Sequence, residues 1–299
     1  MLQRIITAVV LIAILLPLLF LSWQCVYIIP TLVALMALAA VYELLKCLRS
    51  QVDEAGTAAT AREDFVVSIP AYLIAVGLPL ATAFVPYSIY VIRTFLLVAA
   101  AVFTLYLLYL FAVAVLRQGR MHFAEVAEVF TGVLYITLSF ASLSLLRHKT
   151  LEGEYLYLLV FFGAWVTDTF AYFTGRFFGK HKLNPVISPK KTVEGSIGGI
   201  LFCMISFVLF GIVMQFGKWH FTVHYPLLLL SGLLCSVVSQ VGDLITSLIK
   251  REHGVKDYGK IFPGHGGVLD RFDSVLAISP VLLILSNLSL LGDTFALLS

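Results

Sequence analysis

Residues 225–251 read YPLLLLSGLLCSVVSQVGDLITSLIKR. From Tyr225 to Ile249 the run is apolar over more than the roughly 20 residues that cross a bilayer, and it ends on the cations Lys250 and Arg251. One carboxylate, Asp243, lies inside it. On a helix Asp243, Ser247, Lys250 and Arg251 fall at i, i+4, i+7 and i+8, a single polar stripe leading to the cationic end. A carboxylate within a span is costly unless paired or hydrated, so Asp243 reads as a functional group, or as fold glue satisfied by Ser239, Ser247 or a neighbouring helix. The stripe runs straight into a densely polar loop, which favours the functional reading.

The rest of the chain is built the same way. Of its 299 residues 60% are hydrophobic and 12% charged, and the mean hydropathy is +0.99. A soluble domain carries about 25% charged residues, so a water-facing surface cannot be assembled here. Nine apolar stretches of spanning length are legible, at 5–21, 25–45, 65–84, 89–116, 123–146, 155–175, 196–216, 225–249 and 274–298. Pro70 and Pro79 make the third the weakest. The reading is an all-α polytopic membrane protein of one domain, residues 1–299, in which 1–150 are mainly scaffold and 155–299 carry the chemistry. Arg4 and the apolar run after it resemble a signal peptide without its cleavage pattern, and are read as a retained first span.

Charge fixes the expected orientation. Counting Arg4 with the even-numbered gaps gives 16 Lys and Arg on one side against 4 on the other, which predicts a cytoplasmic N-terminus, cytoplasmic even loops and a C-terminus outside. A net charge of +3 gives no case for nucleic acid. Cys25, Cys47, Cys203 and Cys235 have no paired spacing and suggest neither disulfides nor zinc. Residues 46–64 read as a plain connector, and no internal repeat supports a transporter architecture.

The loop after Ile249 runs KREHGVKDYGKIFPGHGGVLDRFD, residues 250–273, with five basic residues, three aspartates, two histidines and five glycines. Glycines let backbone N–H groups approach an anion, and Lys and Arg neutralise phosphate oxygens. Asp243, Asp257, Asp270 and Asp273 are hard oxygen donors of the kind Mg²⁺ takes alongside substrate phosphates. Lys260 reads as a topology charge, and His265 as either an acid or base or a hydrogen bonder that fixes the loop.

A second cluster joins the sixth span to the seventh. Asp168, Tyr172, Gly175 and Arg176 repeat the stripe spacing, and Lys190, Lys191 and Glu194 follow. Ser188-Pro189 reads as an N-cap and first turn whose N–H groups face a phosphate. Gly195 belongs to the same cluster, while Gly198 and Gly199 read as tight helix packing.

Ser247 to Asp273 reads S-x-I-K-R-x4-K-D-x-G-x2-F-P-x-H-G-G-V-x-D-R-F-D, and this resembles the signature of the phosphatidate cytidylyltransferases, or CDP-diacylglycerol synthases. Asp168-Thr-Phe-Ala-Tyr and Ser188 to Gly195 resemble the same family's second block. The resemblance covers about 160–275, while the first 150 residues match only as apolar spans. It implies Mg²⁺-dependent transfer of CMP from CTP to phosphatidic acid, giving CDP-diacylglycerol and pyrophosphate for phospholipid synthesis. It further implies a paired metal site at Asp243 and Asp270, K⁺ as a second ion and a homodimer among membrane lipids. The expected setting is a bacterial inner membrane with the site facing the cytoplasm. On this reading Lys250, Arg251, Lys256 and Arg271 hold triphosphate or lipid phosphate, and Lys190 and Lys191 add contacts. Asp168, Glu194, Ser247, Asp257, His265, Gly266, Gly267 and Asp273 complete the expected substrate site. The alternative is a cation-coupled transporter with Asp168 and Asp243 as ion ligands.

Overall fold

The structure is a computed structural model that describes residues 25, 27–52, 58–60, 64–84, 89–118, 121–148, 153–217, 222–262 and 266–287. The expected first span and His265 lie outside the described residues. Among the described residues eight helices follow in order: α1 (Ile28–Leu48), α2 (Phe65–Ala81), α3 (Ile89–Leu116), α4 (Phe123–His148), α5 (Gly153–Phe178), α6 (Val193–Phe216), α7 (Tyr225–Glu252) and α8 (Leu269–Ser286). Two short antiparallel hairpins interrupt them, β1 (Ser50–Val52) with β2 (Ala58–Thr60), and β3 (Lys182–Asn184) with β4 (Ser188–Thr192). Seven helical segments among the described residues are long and apolar enough to cross a membrane: Ile28–Leu48, Phe65–Phe84, Arg93–Leu116, Phe123–Arg147, Tyr155–Phe178, Val193–Phe216 and Tyr225–Glu252. They correspond to the second through eighth expected stretches, so a mostly helical polytopic chain is what these residues form. α8 starts five residues before the expected ninth stretch and carries Asp270, Arg271 and Asp273 in its first turns.

Backbone contacts gather the chain into two units. The first comprises residues 1–148 and 250–271. Here α1 packs against α2 and α4 through small side chains, Ala34, Ala37 and Ala40 of α1 and Ala71 and Ala75 of α2, all buried. Small residues let apolar helices approach where lipid leaves no hydrophobic drive between them. Leu44 of α1 fills the space over Gly132 of α4. α2 tolerates both internal prolines and closes in a 3₁₀ turn, Thr82–Phe84, where the Thr82 hydroxyl donates to the Pro79 carbonyl at 2.6 Å. Asp64 caps α2 by accepting from Val66 N–H at 3.2 Å and is clasped by Arg117 beyond the end of α3. The hairpin β1–β2 lies in the expected connector, and the Ser50 hydroxyl donates to the His253 carbonyl at 3.0 Å.

The second unit comprises residues 149–249 and 272–299. α5 and α6 pack closely because Gly175 of α5 faces Gly195 of α6, while Gly198 sits against Thr174 and Gly199 against Thr167 and Ala171; a Cβ on Gly195 would lie 2.6 Å from the Ala171 carbonyl and one on Gly199 2.9 Å from that of Thr167. Phe170 stacks on Phe202 at 3.9 Å between centroids. Thr167 of α5 donates to Ser236 of α7 at 2.9 Å, and Gln240 of α7 to the Ser196 carbonyl of α6 at 3.3 Å.

One local expectation is corrected. Ser188 does not cap the following helix, because Ser188–Thr192 is strand β4, paired to β3 with Lys182 opposite Thr192. The helix begins four residues later, at Val193. Its cap is Thr192, extended at φ −125°, whose hydroxyl accepts from Gly195 N–H at 3.2 Å.

Candidate active site

In the second unit the polar stripe of α7 is met by residues of three other elements. Asp243 accepts from the Ser247 hydroxyl one turn on, at 3.3 Å, and forms an ion pair with Lys191 of β4. Both side chains of that pair are 27% exposed. Successive strand residues point to opposite sides, so Lys190 projects outward while its neighbour Lys191 reaches Asp243. Lys191 and Asp243 both interact electrostatically with Asp168 of α5, which accepts from the Ser274 hydroxyl of α8 at 3.3 Å. Asp273 accepts from Ser274 N–H at 2.8 Å and stands 3.5 Å from the Thr246 hydroxyl. The expected residues Asp168, Lys191, Asp243, Ser247 and Asp273 are therefore brought into one linked cluster of this unit.

Glu194 is engaged differently. Its carboxylate accepts from the backbone N–H of Lys180 at 3.0 Å and of His181 at 3.2 Å, and its other oxygen contacts His181 Nδ1 at 2.6 Å. It braces the turn that leaves α5.

In the first unit the loop is organised around Asp270. Lys250 at the end of α7 donates to Asp270 Oδ1 at 2.7 Å, while Oδ2 accepts from Tyr258 N–H at 2.9 Å and Gly267 N–H at 3.0 Å. The Lys250 side chain is 12% exposed and that of Asp270 only 4%. The ammonium also lies 5.3 Å from the centroid of the buried Tyr258 ring, a cation–π contact. α7 terminates by a Schellman motif, with Gly254 at φ 65° donating to the Arg251 carbonyl and Val255 N–H to that of Lys250. This turn forms a cavity of about 330 Å³ lined by Arg251, Gly254, Val255 and Lys256. Two exposed cations and turn backbone make it suited to an anion. Asp257, Lys260 and Arg271 are also exposed, and Gly266, at φ 90°, pairs its backbone with Phe262. Among the described residues no group of three His, Cys, Asp or Glu is disposed to hold a metal ion by itself.

Comparison with known proteins now bears on this geometry. The model of the Cytidylyltransferase family matches residues 2–289. This chain belongs to the cytidylyltransferase family. Within it, the chain is similar to the phosphatidate cytidylyltransferase of Staphylococcus haemolyticus, 44% identical over 176 residues, which is 59% of this chain and 65% of that protein. The enzymes of the same name from Staphylococcus epidermidis and Staphylococcus saprophyticus are 46% identical over 172 residues and 42% over 176, covering 63% and 65% of their lengths. The chain thus spans a little less than two thirds of the length of these curated relatives. Membership in the cytidylyltransferase family leaves the transporter reading without support.

Some residues of this family member's loop region were not legible in advance. Glu43, buried in α1, accepts from Val268 N–H at 3.0 Å and Leu269 N–H at 2.9 Å. Its signal was present as a lone carboxylate in an apolar run, the rule that singled out Asp243. Tyr258 and the contacts of His253 with Ser50 and, at 3.5 Å, with Glu128 had no such signal.

Proposed function

We propose that the chain transfers the cytidylyl group of CTP to phosphatidic acid, giving CDP-diacylglycerol and pyrophosphate. The observation that carries the reading is the family match over residues 2–289, joined to relatives that bear the name phosphatidate cytidylyltransferase. The chemistry of the two clusters agrees. A phosphate oxygen of the lipid attacks the α-phosphorus of CTP as pyrophosphate leaves, and a phosphate monoester is anionic near neutral pH, so positioning and charge neutralisation dominate over base catalysis. Arg251 and Lys256 at the cavity and exposed Arg271 are assigned to phosphate oxygens, with Lys190 as an outer contact. Lys191 and Lys250 are already neutralised by Asp243 and Asp270, and take the role of setting those carboxylates' positions.

Mg²⁺ is part of the proposal, and the donors suit it. Asp243 is partly exposed, and one ammonium and one hydroxyl leave it lone pairs to spare. Asp270 has three donors on about four lone-pair sites, which leaves room for one further bond. Mg²⁺ ordinarily uses one or two carboxylates and completes its shell with water and substrate phosphate, so a protein-only trio is not required. When bound it supplies charge neutralisation at the phosphates. K⁺ as a second ion, a homodimer, nine spans, a cytoplasmic N-terminus and a site facing the cytoplasm of a bacterial inner membrane complete the proposal. The basic loops at one side would let CTP arrive from water while the acyl chains stay in lipid.

The test is CTP-dependent conversion of phosphatidic acid by the purified protein in mixed micelles, with and without Mg²⁺, beside Asp243→Asn and Asp270→Asn. Product only with metal, and a loss of about 100-fold or more per folded molecule in each variant, is the expected result. A folded wild type that makes no product refutes the reading.

A further inference from the structure

The loop that carries Asp270 and Arg271 is anchored by a residue more than 200 positions away in sequence. Glu43 is 1% exposed, and each of its carboxylate oxygens takes one backbone N–H, Oε1 that of Val268 and Oε2 that of Leu269. These two amides belong to the residue just before α8 and to its first residue, and the opening N–H groups of a helix have no partner within it. Val268, which precedes the helix, has no side-chain acceptor to cap it. Glu43 supplies that cap from α1, and its charge faces the positive end of the α8 dipole. Because both oxygens accept, the ionised form satisfies the whole site, whereas the amide of a glutamine would turn a donor toward one of the N–H groups.

The glycines of the loop are shaped to this carboxylate. A Cβ on Gly267 would overlap both Glu43 oxygens, and one on Gly259 would overlap Oε1. Two separate points of the segment therefore close on Glu43, Gly259 next to the Tyr258 amide and Gly267 itself, and these are the two amides that hold Asp270.

We propose that Glu43 is a positioning residue for the candidate active site: by capping α8 and seating Gly259 and Gly267 it fixes the backbone from which Asp270 and Arg271 project. The proposal rests on the reading of residues 250–271 as the phosphate-handling loop. It makes no contact between Glu43 and substrate necessary.

Full-length wild type, Glu43→Gln, Gly259→Ala and the double variant would be compared in micelles by amide hydrogen exchange across residues 257–271 and by kcat and KM for CTP per folded molecule. Exchange at Val268 and Leu269 is expected to rise about 10-fold or more in each single variant as the cap opens. Displacement of a binding segment by the order of 1 Å is expected to lower kcat by about 100-fold while KM for CTP changes far less. The double variant should lose no more than the worse single one, because both changes break one contact. Unchanged exchange, or full kcat per folded molecule despite faster exchange, or losses that multiply in the double variant, overturns the proposal. If Glu43→Gln fails to fold, Gly259→Ala carries both measurements. A wild type without cytidylyltransferase activity would refute the functional reading instead, and exchange alone would then decide whether Glu43 holds the segment.

Discussion

Asp243 and Asp270 look equivalent as side chains, yet they are held in unlike ways. Asp270 is almost wholly covered, with an ammonium and two backbone amides on it, while Asp243 is 27% exposed with Lys191 and Ser247 as partners. Removing one member of a buried pair leaves an uncompensated charge, so Asp270→Asn should destabilise the fold by about 3 kcal/mol, the stranded group being Lys250. Asp243→Asn should cost about 1 kcal/mol or less. Denaturant titration in micelles checks the difference, and equal losses would contradict it. Activity of the Asp270 variant therefore has to be read per folded molecule. Arg251→Ala and Lys256→Ala carry no such burden: both side chains are exposed at the cavity, and each should raise KM for a phosphate substrate by about 10-fold, one charge-assisted contact, with unfolding unchanged.

Helix contacts determine how these residues are presented. The α5–α6 pair is closed by glycines set against Thr167, Ala171 and Thr174, so Gly199→Leu should separate the helices that carry Asp168 and the β4 strand with Lys191. Overpacking of this kind costs about 1–3 kcal/mol, and a thermal melt in micelles would show it as a lowered midpoint. In the other unit the clasp between α2 and α3 responds to acid. The Arg117 guanidinium bonded to Asp64 holds its carboxyl below the ordinary carboxylate range, even against partial burial. A depressed native value means the stabilisation is complete above the unfolded carboxyl's titration near pH 3.9, and is lost as pH falls through the lower native value. Both side chains are about one third exposed, so the effect stays below about 1 kcal/mol. Asp64→Asn should remove this part of the acid sensitivity, as a comparison of melting midpoints between pH 7 and pH 3 would show; an unchanged difference would exclude it.

At the scale of the whole molecule the distribution of charge predicts sidedness. The asymmetry of 16 basic residues against 4 makes a specific expectation for labelling with a membrane-impermeant maleimide, since all four native cysteines are unpaired and only Cys25 is exposed. In a Cys25→Ser background, Asp257→Cys should label from the cytoplasmic side and Thr222→Cys from the opposite one; the reverse pattern would invert the proposed topology. Much of the helical fold was legible from sequence because its physics is local. The length of an apolar run measures a bilayer, helical spacing put Asp243 and Ser247 one turn apart, and a glycine-rich, cation-rich loop announces an anion whatever surrounds it. The cap of α6 was misplaced because Ser188 could be judged only against its neighbours, whereas the pairing of Lys182 with Thr192 consumed that stretch as strand. Which lysine neutralises which aspartate, and that Glu43 closes on Val268 and Leu269, were decided by the tertiary structure alone. A buried charge or an uncapped amide states in sequence that it needs a partner, but the partner is named only when folding brings residues distant along the chain within hydrogen-bonding reach.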